Sequence, residues 1–156
     1  MNTSPPSGDI ESTVRTYAGM LYRLSLSMLG SAADAEDAIQ ETFLRYVQKA
    51  PDFESAAHEK AWLIRVCINR CRDEQRRRRR DVLPQEFSAG NIPDIPVMEA
   101  LRKLPEKLRL VMMLHYSEGY PVDDIAKIIR RTPSAVKMRL KKGRQLLKEI
   151  LGKEYM

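Results

Sequence analysis

Cysteine occurs only twice in the 156 residues, at positions 67 and 71. A disulfide framework is therefore excluded, and a reducing, cytoplasmic setting is expected. Histidine is equally scarce: His58 and His115 stand in no nucleophile or metal spacing, which argues against an enzyme. Cys67 and Cys71 are i,i+4 and share a helical face, but no His or third Cys completes a metal site, so small apolar packing is expected. There is no phosphate-cradling glycine loop, and no cofactor is expected. No apolar run approaches the roughly 18 residues of a membrane span, so no membrane insertion of this chain is expected. Met1 to Gly8 is polar, with two prolines and no signal-peptide core. Glycine is sparse and β-branched runs are short, which leaves little material for sheet.

What is present is helical spacing almost everywhere. From Ile10 to Leu29 the apolar positions Val14, Tyr17, Ala18, Leu21, Tyr22, Leu24 and Met28 trace one face, with Gly30 as a stop. Ser31 is placed to cap a second helix reaching Ala50, where Pro51 ends it. A third helix spans about Glu59 to Arg80. Pro84, Gly90, Pro93 and Pro96 then fall in a stretch without a basic residue, which reads as a flexible linker. Further helices are expected at Val97–Leu104, Glu106–Ser117, Val122–Arg130 and Pro133–Leu151. The reading is all-α: two small helical domains, 1–80 and 97–156, joined by a linker at 81–96.

Charge follows the same division. The net charge of +6 breaks into −4 over residues 1–60, +6 over 61–80, −4 over 81–100 and +8 over 101–156. Two basic blocks, each beside an acidic one, suit a polyanion held at two places better than a uniformly soluble surface.

The last block carries a helix-turn-helix pattern. Thr132 as N-cap and Pro133 at the first helical position mark the start of its second helix. Ile125, Ala126, Ile129, Val136 and Leu140 sit where two crossing helices pack. Ser134, Lys137, Met138, Lys141, Gln145 and Lys148 gather on the side opposite Val136, Leu140, Gly143 and Leu147. Ser134, Lys137, Met138 and Lys141 are the base-edge candidates, and Arg139, Lys142 and Arg144 are better placed for phosphates. The plain alternative is a solvated Lys/Arg face.

On the third helix Arg65, Asn69, Arg72, Arg76 and Arg79 fall in a stripe about 80° wide, with Trp62 at its border. Asp73–Arg77 and Glu74–Arg78 are i,i+4 pairs, whereas the stripe lacks such partners and reads as a phosphate-tracking rail. A frayed basic tail from Gln75 to Arg80 is the competing reading. The second helix buries Ala35, Ala38, Ile39, Thr42, Phe43 and Tyr46 and displays Asp34, Asp37, Gln40 and Glu41. Asp34 and Asp37 suit the helix dipole. Glu41 lies two turns further in, one turn from Asp37, and Leu44 projects into the same polar sector. An acidic face interrupted by leucine suits a protein partner; plain solvent exposure is the alternative.

Asp34-Ala35-Glu36-Asp37-Ala38-Ile39-Gln40-Glu41-Thr42-Phe43-Leu44-Arg45 closely resembles the core-binding helix of bacterial sigma factors of the extracytoplasmic-function (ECF) group. Ala61-Trp62-Leu63-Ile64-Arg65-Val66 with Asn69 and the arginines resembles that family's promoter-opening helix. Ala100-Leu101, Leu104-Pro105, Gly119, Asp124-Ile125-Ala126 and Val136-Lys137-Met138-Arg139-Leu140 resemble its −35-reading domain. The likeness runs in the family's order from about Tyr17 to Leu151.

The resemblance implies roles residue by residue. Asp37, Gln40, Glu41 and Leu44 would dock on the β′ clamp helices of RNA polymerase core, with further contact to the β subunit. Trp62, Arg65, Asn69, Arg72 and Arg76 would engage −10 promoter DNA as it melts. The loop Asp52–His58 would capture a flipped base, with Phe53 its only aromatic and Glu54 and Ser55 its polar readers. The acidic linker would thread the polymerase and mimic nucleic acid there. A cognate anti-sigma factor, commonly membrane-bound, is also implied. Ala135 and Met138 stand where the family often has Thr and Ser, and Pro121 where it often has a capping Ser; these bear on the −35 sequence read and on the start of a helix. A stand-alone helix-turn-helix regulator is the rival reading, but it leaves the acidic second helix without a purpose.

Overall fold

A computed structural model of the chain describes residues 10–81 and 100–155. The chain divides into two compact units, residues 1–90 and 91–156, and every regular element among the described residues is helical. The expected linker beyond Asp81 lies outside the described residues, as do positions 97–99 of the helix expected at Val97–Leu104; 100–102 are helical.

The first unit is three mutually packed helices: α1 (Ile10–Leu29), α2 (Ala32–Lys49) and α3 (Ala56–Asp81). Gly30 takes the left-handed conformation that ends α1, at φ 69°. The Ser31 side chain accepts from the Asp34 amide and starts α2. Leu21, Leu63, Ile64 and Ile68 are wholly buried at the centre, each contributing roughly 1.5–3 kcal/mol through removal from water. Cys67 and Cys71 lie in this core, with the Cys67 Sγ 3.0 Å from the Ser25 hydroxyl. Hydrogen bonding to Cys67 and burial hold the Cys71 thiol well above its usual range.

α3 begins earlier than the periodicity places it. Ser55 accepts from the His58 amide at 3.0 Å, and His58 Nδ1 in turn accepts from the Glu54 amide at 3.1 Å. This reciprocal cap adds a first turn that the apolar pattern does not mark. At its other end α3 is fastened to the end of α1: Gln75 donates to the Met28 carbonyl at 3.0 Å and Arg78 to the Leu29 carbonyl at 2.6 Å. Arg78 also pairs with Asp34 of α2.

The second unit contains α4 (Glu106–Met112), a π-helical turn (Met113–Ser117), α5 (Val122–Ile129) and α6 (Pro133–Tyr155). The single helix expected over Glu106–Ser117 therefore changes pitch midway. The Glu118 amide bonds back to the Met113 carbonyl at 3.1 Å, and Tyr120 to Leu114 at 3.0 Å. The wider turn keeps Met113 and Leu114 buried and leaves Tyr116 outside. Gly119, at φ 75°, then reverses the chain. α5 starts at Pro121 with no side-chain cap and ends one residue earlier than expected, with Arg130 left-handed at φ 58°. Thr132 Oγ1 accepts from the Ala135 amide at 3.1 Å, so the cap of α6 is as expected. Ile125, Ala126 and Ile129 are buried, as are Val136 and Leu140. A Cβ on Gly143 would come within 2.9 Å of Met112 Cγ, so glycine lets α6 approach α4 closely.

Candidate nucleic-acid and partner interfaces

On α2 the structure separates the two faces that the sequence implies. Ala35, Ala38, Thr42, Phe43 and Tyr46 are buried, while Ile39 is only half-buried. Asp37, Gln40 and Leu44 are exposed and Glu41 is half-buried beside them. Asp34 is not part of this display, because it turns toward Arg78. Sequence reasoning missed Val47, which is 64% exposed one turn beyond Leu44, itself 50% exposed. The i,i+3 spacing of two exposed aliphatics next to three polar or acidic side chains was the available signal. The face is thus an acidic rim with an apolar strip, a composition suited to a protein surface with basic and apolar groups.

Across the unit, the proposed base-reading loop and α3 share an aromatic cluster. Phe53 stacks on Tyr46 at 6.0 Å between centroids and 18° between planes. Trp62 meets Phe53 edge-on at 5.8 Å and Tyr46 at 6.1 Å. His58 closes on Phe53 at 5.2 Å. Phe53 and Trp62 are half-buried, so both present ring area to the surface while packing holds them rigid. Ser55 spends its hydroxyl oxygen on the helix cap, and Glu54 is exposed. Beneath the cluster Glu59 is only 4% exposed and accepts from the phenols of Tyr46 at 2.5 Å and Tyr17 at 3.2 Å. Burial first, then the Glu59 hydrogen bond, pushes the Tyr46 hydroxyl well above the usual tyrosine range.

The arginine stripe is real but not uniformly unpartnered. Arg65 is half-buried, and its Nε finds no hydrogen-bond partner among the described residues. Asn69 is exposed and, with Arg45, Val66, Arg70 and Asp73, lines a cleft of about 170 Å³ between α2 and α3. Arg72 is half-buried and Arg79 exposed. Arg76, expected to lack a partner, pairs with Asp73 instead of Arg77 doing so. The i,i+3 reach is as short as i,i+4, and Arg77 is drawn to Glu74 next to it. Glu74 also lies 3.8 Å from Arg78, the i,i+4 pair expected, and 3.7 Å from Arg70. The frayed-tail alternative fails for Gln75 through Arg79, which are helical and, at Gln75 and Arg78, bonded to the end of α1.

In the second unit Ser134, Lys137, Met138, Lys141, Lys142 and Arg144 are all exposed on α6, and Met138 is 71% so. Arg139 is half-buried. This face therefore offers cations flanking an apolar thioether, a set able to contact phosphates, base edges and a thymine methyl.

Comparison with known proteins accords with this layout. Residues 13–81 match the family described as Sigma-70 region 2, and residues 95–147 match Sigma-70, region 4. An ECF RNA polymerase sigma factor, SigL of Mycobacterium tuberculosis, is 32% identical over 80% of this chain and 78% of its own length. Another, SigE of Mycolicibacterium smegmatis, is 30% identical over 90% of this chain; the chain spans 60% of that protein's length. The fold is shared with a solved sigma factor, RpoE in complex with the anti-sigma factor NepR from Bartonella quintana. That likeness has a TM-score of 0.75 at 23% identity, covering 91% of this chain and 96% of the other.

Proposed function

This chain belongs to the sigma-70 family, in its extracytoplasmic-function group, and from that premise we propose how its surfaces divide the work of starting transcription. Sigma factors are transcription initiation factors, and this chain is read here as the promoter-recognition subunit of RNA polymerase with no catalytic step of its own. It binds polymerase core through α2, with Asp37, Gln40, Glu41 and Leu44 on the β′ clamp helices and Val47 extending the strip; the β subunit is a further contact. The α6 face reads the −35 element in the major groove through Ser134, Lys137, Met138 and Lys141, while Arg139, Lys142 and Arg144 hold phosphates. α3 and the loop before it engage the −10 element as it melts. Arg65, Arg72 and Arg76 follow the backbone, Asn69 contacts it from the cleft, and Phe53, Glu54, Ser55 and Trp62 receive an unstacked base. The chain acts in the cytoplasm and is held inactive by an anti-sigma factor.

One observation carries this reading: the acidic, Leu44–Val47-bearing face of α2 stands in the same three-helix unit as the arginine stripe. A binder of duplex operators has no need of an acidic, apolar-striped face, whereas a bridge between polymerase and DNA needs both that face and a basic one. The test mixes the purified chain, core polymerase and promoter DNA. Specific starts that depend on the chain are expected; tight duplex binding without core, and no starts, would sink the reading.

A further inference from the structure

The π-helical turn of the second unit buries its first two residues and points an aromatic residue outward. Met113 and Leu114 are buried, yet Tyr116 is 57% exposed. π turns are rare and are frequently found at functional sites. This one is held firmly. His115 Nδ1 lies 2.8 Å from the Tyr120 carbonyl, and the His115 ring meets Tyr116 edge-on at 4.7 Å and 82°. The Tyr116 hydroxyl oxygen accepts from Arg144 of α6 at 3.1 Å, a contact spanning 28 residues of sequence.

Arg144 is not a stray surface cation. At about 100° per residue it lies roughly 20° from Lys137 and so continues the Lys137–Lys141 row of the reading face. Among the described residues no carboxylate pairs with it; its partner is the phenol. An arginine that donates to a phenol polarises that O–H, making it a stronger donor to an incoming anion. The phenol proton and the remaining guanidinium N–H groups are then free to serve the same oxygen pair. A phosphodiester supplies two such oxygens and a full negative charge, and arginine favours that geometry.

We propose that Tyr116 and Arg144 form a composite clamp for one backbone phosphate of the −35 duplex, with the π turn present to place the phenol. The proposal rests on the −35 reading of α6 given above. The clamp fixes the register of α6 on the duplex and reads no base.

The experiment measures promoter binding by reconstituted holoenzyme across a salt series, with an intact and a scrambled −35 element. Tyr116→Phe should weaken both duplexes by the same factor, about tenfold to a hundredfold for one lost hydrogen bond to a charged group. Arg144→Ala should weaken them further and flatten the log–log salt slope by about one. The double variant should match Arg144→Ala within about twofold, since the phenol acts only when Arg144 polarises it. Unchanged binding with Tyr116→Phe, or losses that multiply in the double variant, would overturn the clamp. So would a Tyr116→Phe loss confined to core affinity, which would make the residue a protein contact. Lys137→Ala and Lys141→Ala run alongside. If they abolish discrimination between the two duplexes while Tyr116→Phe does nothing, the clamp alone falls; if they too do nothing, the −35 assignment falls with it.

Discussion

Glu59 is where the polar bonding of the first unit converges. Its carboxylate is almost wholly buried and takes both phenols, from α1 and from α2, onto a side chain of α3. Removing it strands two hydroxyls and opens a void, so Glu59→Ala should lower the unit's stability by about 2–4 kcal/mol. The same network makes a pH prediction. Tyr46 and Tyr17 are both raised by burial and by Glu59. A group raised in the folded state contributes stability that is complete below its unfolded pKa and lost as pH climbs through the folded one. The unfolded chain releases these protons near pH ~10, so the first unit should weaken progressively above that point. Trp62, the sole tryptophan, reports this unit's unfolding by fluorescence. Tyr46→Phe should lower the neutral-pH midpoint and flatten the alkaline limb; an unaltered limb would show that the phenol does not carry the effect.

Helix ends were the most legible elements of this chain, because they are set by local chemistry. Gly30, Ser31 and Thr132 each stop or start a helix through bonds to backbone within four residues, and Pro133 favours the start through its fixed φ. What the periodicity could not carry is the chemistry it does not register, whether local, as in the Ser55–His58 cap of α3, or from partners far away in sequence. The π turn answers to burial of Leu114, the left-handed Arg130 has no glycine to announce it, and the Arg78 anchor reaches back 49 residues to Leu29. That anchor divides a run which looks homogeneous in sequence. Arg78 is 11% exposed and serves a carbonyl and a carboxylate at once. Arg78→Ala should therefore cost about 2–3 kcal/mol of stability. Arg72 touches no partner carboxylate among the described residues, and Arg76 shares only an exposed pair with Asp73. Replacing either by alanine should change stability by less than about 0.5–1 kcal/mol while impairing promoter opening. Chemical denaturation followed at Trp62 separates the two classes; equal losses across all three would erase the distinction.

Taken as a whole, the molecule sorts its net charge of +6 into surfaces of opposite sign, and this sorting makes its two contacts separable by mutation. α2 supplies the negative face with its apolar strip; α3 and α6 supply the positive ones. A reversal on α2 should act on the protein contact alone. Glu41→Lys places a cation against a surface that an acidic face selects, so core affinity should fall at least about tenfold, and salt should narrow the gap between variant and parent. Helix content should not change, since Glu41 is only half-buried and makes a like-charge pair with Asp37 that lysine relieves. Arg72→Ala should behave in the opposite manner. It keeps core affinity and the closed complex but slows melting, because a phosphate contact on α3 is called upon only when the strands part. Permanganate footprints of closed and open complexes, run beside a core-binding titration, resolve both effects. Full core affinity in Glu41→Lys would remove the partner argument for α2, and normal melting in Arg72→Ala would remove the −10 assignment of α3. Because the two lesions lie within one three-helix unit, single variants that each lose one function and keep the other, while Trp62 still reports a native unfolding midpoint, would establish that one small fold carries two independent interfaces.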